Sequence, residues 1–312
     1  MTRRGPNPAR RTSRRAFLRD GAILLTGAAV LPGRLAGENL PKPDLRLGLV
    51  TDMHYADKDA RSKRHYRQTL TKFAEAAGQF EKEKVDLVVE LGDIIDGADS
   101  VETEKAWLRR IVKDFSTGPG QHHYVLGNHC VYSLTKGEFL EIVGRKESFY
   151  SFDAGGWHFV ILDACFREDG EPYGRKNYDW TDANIPPAEA KWLREDLGKT
   201  AHKTVVFVHQ RLDVDPPMGI KNAPQIRRIL EASGKVLAVL QGHHHQGGYS
   251  EIGGIHYCTL RGMIEGSGPD NNSYAVMDLF PDVAARITGW RKQKSYPSLR
   301  GQAAKPASQP VR

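Results

Sequence analysis

Apolar residues along this chain gather into short runs that stop abruptly at acidic, amide or imidazole side chains. The strongest, Val85 to Leu91 (Val-Asp-Leu-Val-Val-Glu-Leu), is the kind of run that forms a strand buried on both faces. Gly92 then frees the backbone, and Asp93 emerges at the carboxyl end. The device recurs four times. Leu45 to Val50 runs into Asp52 and His54, His123 to Leu126 into Asn128 and His129, Thr204 to Val208 into His209, and Val236 to Leu240 into Gly242 and the triplet His243, His244, His245. In open α/β sheets, ligands collect beyond the carboxyl ends of the strands, so these five run ends are the place to look for chemistry.

Between the runs the period changes. Tyr66, Leu70, Phe73, Ala77 and Phe80 recur at three- and four-residue steps and predict a long amphipathic helix over Arg61 to Glu83. Val101 to Phe115, Thr135 to Val143, Pro187 to Lys199 and Asn222 to Ala232 predict four more. Phe149 to Ala154 and Trp157 to Asp163 alternate around Gly155-Gly156, as a hairpin does. Further on, Gly248 to Ile252, Ile255 to Leu260, Tyr274 to Phe280 and Val283 to Trp290 read as strands with no helix among them. Residues from Lys294 onward, rich in Pro, Ser, Ala and Gln, predict a disordered tail over 294–312. The class is α/β, with a single domain over residues 45–290.

Composition supports a sizeable core: 39% of the 312 residues are apolar. The net charge of +7 invites a nucleic-acid or anionic-membrane reading until it is located. Residues 1 to 36 hold eight arginines, no lysine and one acid, Asp20. Taking eight from 45 basic residues and one from 38 acidic residues leaves 37 of each from Gly37 onward. The globular part therefore gives no electrostatic reason to expect DNA or RNA as a partner.

The basic leader has a form of its own. Thr12-Ser-Arg-Arg-Ala-Phe-Leu18 precedes an uncharged stretch from Gly21 to Leu31, and residues 1–37 resemble a twin-arginine export signal whose apolar stretch is too short to span a bilayer. The twin-arginine machinery would be a partner, and the location periplasmic or otherwise extracytoplasmic. Arg34 fits the small-x-small cleavage pattern poorly, so a membrane-tethered form applies only if the leader stays uncleaved. Cys130, Cys165 and Cys258, odd in number, read as three unpaired thiols.

Asp52-x-His54, Gly92-Asp93-x-x-Asp96-Gly97, Gly127-Asn128-His129, His209 and Gly242-His243-x-His245 occur in the order, and at the strand ends, found in calcineurin-like metallophosphoesterases. The resemblance spans Leu45 to Trp290 and implies a four-layer α/β/β/α sandwich holding two divalent ions. Such a pair needs a bridging carboxylate with imidazole and oxygen ligands on either side. By resemblance Asp93 is the bridge, Asp52, His54 and His245 complete the first metal, and Asn128, His209 and His243 the second. A metal-bridging hydroxide then attacks phosphorus, while His129 faces the leaving oxygen as the catalytic acid. Side chains alternate on an extended segment, which would turn His243 and His245 inward and His244 toward solvent or substrate. Asp96 reads as a turn or supporting residue, and His122, His123, His158, His202 and His256 as structural or surface residues.

Flanking segments narrow the resemblance. Asp52-Met-His-Tyr-Ala-Asp57, Arg64-His-Tyr-Arg67, Gly92-Asp-Ile-Ile-Asp-Gly97 and Gly247-Gly-Tyr-Ser250 resemble the manganese-dependent ADP-ribose/CDP-alcohol diphosphatase family, whose members hydrolyse the pyrophosphate of nucleotide-linked alcohols and sugars. That branch commonly carries Gln where this chain has His54, and the superfamily usually has an acid where this chain has Cys130. The expected substrate is a small phosphorylated compound of nucleotide type. The ions would be Mn, Fe or Zn, with manganese favoured by the closer resemblance. The alternatives are a broad phosphomonoesterase and a metal-free binding scaffold. Cys165 to Pro186, a long aperiodic stretch with Tyr173, Arg175, Lys176, Tyr178 and Trp180, is the expected substrate loop. Arg175 and Tyr178 are its candidate contacts.

Overall fold

The computed structural model describes residues 41–282 and 284–301. The leader over residues 1–37 and the tail beyond Gly301 lie outside the described residues. Each of the five apolar runs overlaps a strand: β1 (Leu45–Val50), β2 (Leu87–Glu90), β3 (Gln121–Tyr124, which starts and ends two residues before its run), β6 (Lys203–Val208) and β7 (Val236–Gln241). Strands β4 (Tyr150–Ala154) and β5 (Trp157–Ile161) are the expected hairpin. The later strands are β8 (Gln246–Ile252), β9 (Ile255–Arg261), β10 (Ser273–Phe280), β11 (Ala284–Arg291) and β12 (Tyr296–Arg300).

These strands make two six-stranded sheets, ordered β12-β11-β10-β1-β2-β3 and β4-β5-β6-β7-β9-β8. In the first, β1, β2 and β3 run parallel; in the second, β5, β6, β7 and β9 do. Leu47, Leu49, Val89 and Leu91 of the first sheet share one buried cluster with Phe159, Phe207, Leu240 and Leu260 of the second, so the sheets pack face to face. The outer face of the first sheet is covered by α1 (Thr69–Glu83), α2 (Val101–Phe115) and α3 (Lys136–Val143), through Phe73, Phe80, Ile111, Phe115 and Phe139. The second is covered by α4 (Pro187–Lys199) and α5 (Ala223–Ser233), through Leu193, Leu197, Ile226 and Leu230. The layers are helix, sheet, sheet, helix, as the α/β sandwich expectation required.

Helix boundaries follow their caps. Ser100 accepts from the Thr103 amide at the start of α2, and Thr135 with Glu138 forms a capping box on α3. The carboxylate of Glu104, buried inside α2, accepts the backbone N–H groups of Ala98, Ser133 and Leu134. It ties together the loops that leave β2 and β3, the two loops bearing Asp93 and Asn128.

Two expectations are corrected. The first helix does not begin at Arg61. A 3₁₀ turn over Tyr66–Gln68 precedes α1, and Arg61–His65 instead bond to each other and to the 264–266 loop, with the His65 amide donating to the Ile264 carbonyl and the Gly266 amide to the Lys63 carbonyl. The chain from Lys294 is not a disordered tail up to Gly301. Tyr296–Arg300 adds β12 to the sheet edge, with Leu299 buried against the inter-sheet core. Pro297 is tolerated there because an edge strand leaves one row of amides unpaired. Cys130, Cys165 and Cys258 are free and buried. Among the described residues no helix is long and apolar enough to cross a membrane.

Candidate metal centre

Because the central strands of each sheet run parallel, their carboxyl ends open toward one another, and the loops after β1, β2, β3, β6 and β7 meet there. Asp52, His54, Asp93 and His243 all hold positive φ (49°, 44°, 59° and 67°) and make up four of the nine non-glycine residues in that state among the described residues. Side chains avoid this region at a cost, so backbone strain is concentrated on the candidate ligands. Gly92 (φ +100°) is required at its position: a Cβ there would stand 2.4 Å from the His209 ring.

Two triads converge. Asp52, His54 and His245 each offer one donor atom within 4.8 Å of the others, as do Asp93, His209 and His243. His245 Nε2 lies 3.3 Å from Asp52 Oδ1, His54 Nε2 lies 3.6 Å from Asp93 Oδ2, and His209 Nε2 lies 3.0 Å from Asp93 Oδ2. Asp93, within reach of His54 on one side and His209 on the other, sits where the two triads touch. His129 also falls within 4.8 Å of His54 and Asp93.

The donor atoms crowd together, and several of them lack a hydrogen bond of good geometry. Asp52 Oδ1, Asn128 Oδ1 and His209 Nε2 are buried with no hydrogen-bond partner, an arrangement that costs free energy unless something else occupies their lone pairs. The opposite atoms of Asp52, Asp93, His209 and His245 are engaged. Asp52 Oδ2 accepts from Thr51 Oγ1 (2.8 Å) and the His243 amide (3.2 Å), and Asp93 Oδ1 from the His129 amide (2.8 Å). His209 Nδ1 donates to the Leu91 carbonyl (2.8 Å) and His245 Nδ1 to Glu265 Oε1 (2.8 Å), which turns both Nε2 atoms into the cluster. A mixed O and N donor set with outer hydrogen bonds fixing each ligand fits divalent transition ions.

Charge is held in the same sense. Burial alone would raise Asp52, but the imidazoles of His245, His54 and His209 outweigh it and hold the carboxyl well below the usual range. Asp93 is likewise held down against burial by His209, His129 and His54, and Asp96 by His129 and His54. Asp96 contacts His54 Nδ1 (3.3 Å), His129 Nδ1 (2.7 Å), Arg64 (3.7 Å) and the Lys58 ammonium.

A cleft of about 210 Å³ opens over the cluster, lined by His54, Arg64, Asp93, Asn128, His129, Trp180, Met218, His243 and His245. Larger clefts of about 450 Å³ between α4 and α5, and about 560 Å³ beside Lys72 and Arg291, hold no convergent donors of this kind.

All eight sequence-derived ligand and acid candidates, Asp52, His54, Asp93, Asn128, His129, His209, His243 and His245, are thus brought together. The three substrate candidates are not in the cleft. Arg175 pairs with Glu138 (2.6 Å) and donates to the Ser133 carbonyl (2.5 Å). The Tyr178 hydroxyl donates to the Asn128 backbone carbonyl, and its ring stacks on Tyr173. His244 turns back onto the Gly247 carbonyl (3.3 Å). The triplet is not extended: β7 ends at Gln241, β8 starts at Gln246, and the left-handed backbone of His243 makes the turn that carries both outer histidines inward. Met218 and Glu265 escaped the sequence reading, and Arg64 entered it only within the Arg64-His-Tyr-Arg67 segment, with no role assigned. None follows an apolar run, and each arrives through a loop.

The comparisons with known proteins agree with this geometry. The family model described as calcineurin-like phosphoesterase matches residues 45–247. The chain is 26% identical to a protein of Xenopus laevis named manganese-dependent ADP-ribose/CDP-alcohol diphosphatase, over 78% of this chain and 88% of that protein. It is 27% identical to the Mus musculus protein of the same name, over 81% and 96%. Among solved structures, a dimetal phosphatase from Danio rerio superposes with a TM-score of 0.72 at 22% identity, over 84% of this chain and 100% of that one.

Proposed function

The chain belongs to the calcineurin-like phosphoesterase family and is a hydrolase acting on phosphate ester bonds; from that premise we propose that it cleaves the phosphoanhydride or phosphodiester bond of a small nucleotide compound, of ADP-ribose or CDP-alcohol type, with two divalent ions, manganese favoured. The observation that carries the two-metal part is the convergence of the two triads, with Asp52 Oδ1, Asn128 Oδ1 and His209 Nε2 buried among them and without a hydrogen-bond partner. The names of the curated relatives support the substrate class and the metal.

In this reading Asp52, His54 and His245 hold one ion, Asn128, His209 and His243 the other, and Asp93 both. When bound, the ions supply Lewis acidity toward the phosphate and an acidified attacking water. The protein's own part is positional. Asp96 fixes His129 through Nδ1 (2.7 Å), leaving its other ring nitrogen to protonate the departing oxygen. Arg64, on the cleft wall, adds positive charge where the phosphate enters. Arg175 and Tyr178 act as struts of the 165–186 loop.

A panel of ADP-ribose, CDP-choline, a bis-aryl phosphate and a simple monoester, assayed with added Mn²⁺, tests the substrate class. Preference for ADP-ribose or CDP-choline is expected, and preference for the monoester would move the assignment to a broad phosphomonoesterase. Export by the twin-arginine route is proposed from Arg14-Arg15 and the apolar stretch behind them. Replacing both arginines with lysine should hold the protein in the cytoplasmic fraction, whereas unchanged distribution would remove the export reading.

A further inference from the structure

We propose that Trp180 is the platform on which the nucleobase of the substrate stacks, so that one exposed indole makes this centre selective for phosphates carrying a planar ring. The inference rests on the nucleotide reading above and names the residue that would enforce it.

Trp180 and Tyr249 are the two large hydrophobic side chains left exposed among the described residues, each at 45%. Tyr249 is already stacked, on Tyr296 at 5.2 Å and His256 at 6.1 Å. The one aromatic ring that Trp180 pairs with among the described residues is His243, at 5.8 Å and tilted by 48°, and Trp180 lines the cleft. An exposed indole on the wall of a polar cleft offers a planar face on which a base can stack.

The loop that carries the ring is also held in place. It is pinned by Arg175 to Glu138 and the Ser133 carbonyl, by the Tyr178 hydroxyl to the Asn128 carbonyl, and by the Tyr173–Tyr178 stack at 4.2 Å. Asp179 accepts from both the amide and the hydroxyl of Thr181, closing the turn that presents Trp180. A preorganised aromatic loses little entropy when a partner stacks on it. Because Tyr178 bonds the backbone of Asn128, the platform is set at a fixed distance from the residues that take the phosphate.

Met218 supplies a soft wall on the same cleft and Arg64 a cation. Phosphate at Asp93 and Asn128 with a ring on Trp180 matches a nucleoside phosphate. Stacking recognises a π-face rather than an edge pattern, so adenine and cytosine should bind within a few-fold of each other.

The test uses the full-length chain loaded with Mn²⁺. AMP and CMP should quench tryptophan emission while ribose 5-phosphate does not, and W180F should abolish the difference. In kinetics with ADP-ribose, W180A should raise KM by about tenfold with kcat within about twofold, W180F should recover most of the loss, and inhibition by inorganic phosphate should stay unchanged. Equal quenching in W180F, an unchanged KM in W180A, or a parallel loss of phosphate inhibition would overturn the proposal. If the wild-type protein spares ADP-ribose and prefers a monoester, the diphosphatase reading fails. The quenching arm then decides alone: ring-dependent quenching lost in W180F supports the platform, and its absence in the wild type refutes it.

Discussion

Glu265 Oε1 accepts the Nδ1 proton of His245 at 2.8 Å and so aims the opposite ring nitrogen at Asp52. The carboxylate sets both the tautomer and the orientation of a ligand to which it contributes no donor atom of its own. Outer partners of this kind are typically worth 10- to 100-fold in metal affinity. Glu265→Gln should therefore weaken one of the two binding events by about tenfold, read by calorimetric titration with Mn²⁺, and leave the other unchanged. Equal affinity at both positions would show that His245 needs no such support.

The loop that carries Glu265 is fixed in turn by Lys72. This lysine is 2% exposed, and its ammonium donates to the carbonyls of Met263 (2.8 Å), Glu265 (3.0 Å) and Gly266 (2.8 Å). Lys72→Met keeps the stem of the side chain and removes all three bonds, a loss of about 4 kcal/mol or more at the usual worth of about 1.5–3 kcal/mol for each hydrogen bond to a charged group. Chemical denaturation should show that loss. If the loop is the only route by which Lys72 acts, Mn²⁺ affinity should fall as in the Glu265 variant.

His129 lies close enough to His54 and Asp93 to be mistaken for a ligand, and its pairing with Asp96 argues for the acid role instead. His129→Ala should lower kcat by about 10² to 10⁴ while the purified protein retains its metal. Loss of an ion along with activity would place His129 among the ligands.

Glu189, at the start of α4, is fully buried. One carboxylate oxygen accepts the Asp163 amide at 2.8 Å and the other has no partner. Burial, and then the Asp163 charge, push its pKa well above the ordinary 4.5. From 4.5 up to the raised folded value the native chain binds more protons than the unfolded one, so this group makes stability fall as pH rises through that window. Glu189→Gln should flatten the dependence and gain about 1–3 kcal/mol at its upper end. A steeper melting-temperature profile in the variant would contradict the assignment.

The legible part of the fold was the part buried on both faces. Val88, Val89 and Leu91, or Val205 to Val208, can only be core, and the polar residue that ends each run stands out against them. The strands around the site, and the eight residues they deliver, followed from that contrast. Residues that work through loops gave no such contrast. Glu265 and Lys72 are an acid and a base in polar surroundings, and their partners lie 20 and about 190 positions away. β12 was hidden for a related reason: Tyr-Pro-Ser-Leu-Arg offers a single buried anchor, Leu299, and a proline that usually speaks against a strand. Arg175 and Tyr178 were read as substrate contacts, yet the fold turns them onto Glu138, the Ser133 carbonyl and the Asn128 carbonyl, because sequence shows that a loop carries polar and aromatic groups and not which of them faces inward.

The most direct test is the metal content of the purified chain, taken by elemental analysis after Mn²⁺ loading and removal of excess ion, for the wild type and for Asp93→Ala. With Asp93 shared between the two triads, the wild type should hold two ions per chain and the variant should lose stoichiometric binding at both positions. Two ions retained in the variant, or none in the wild type, would contradict the shared centre.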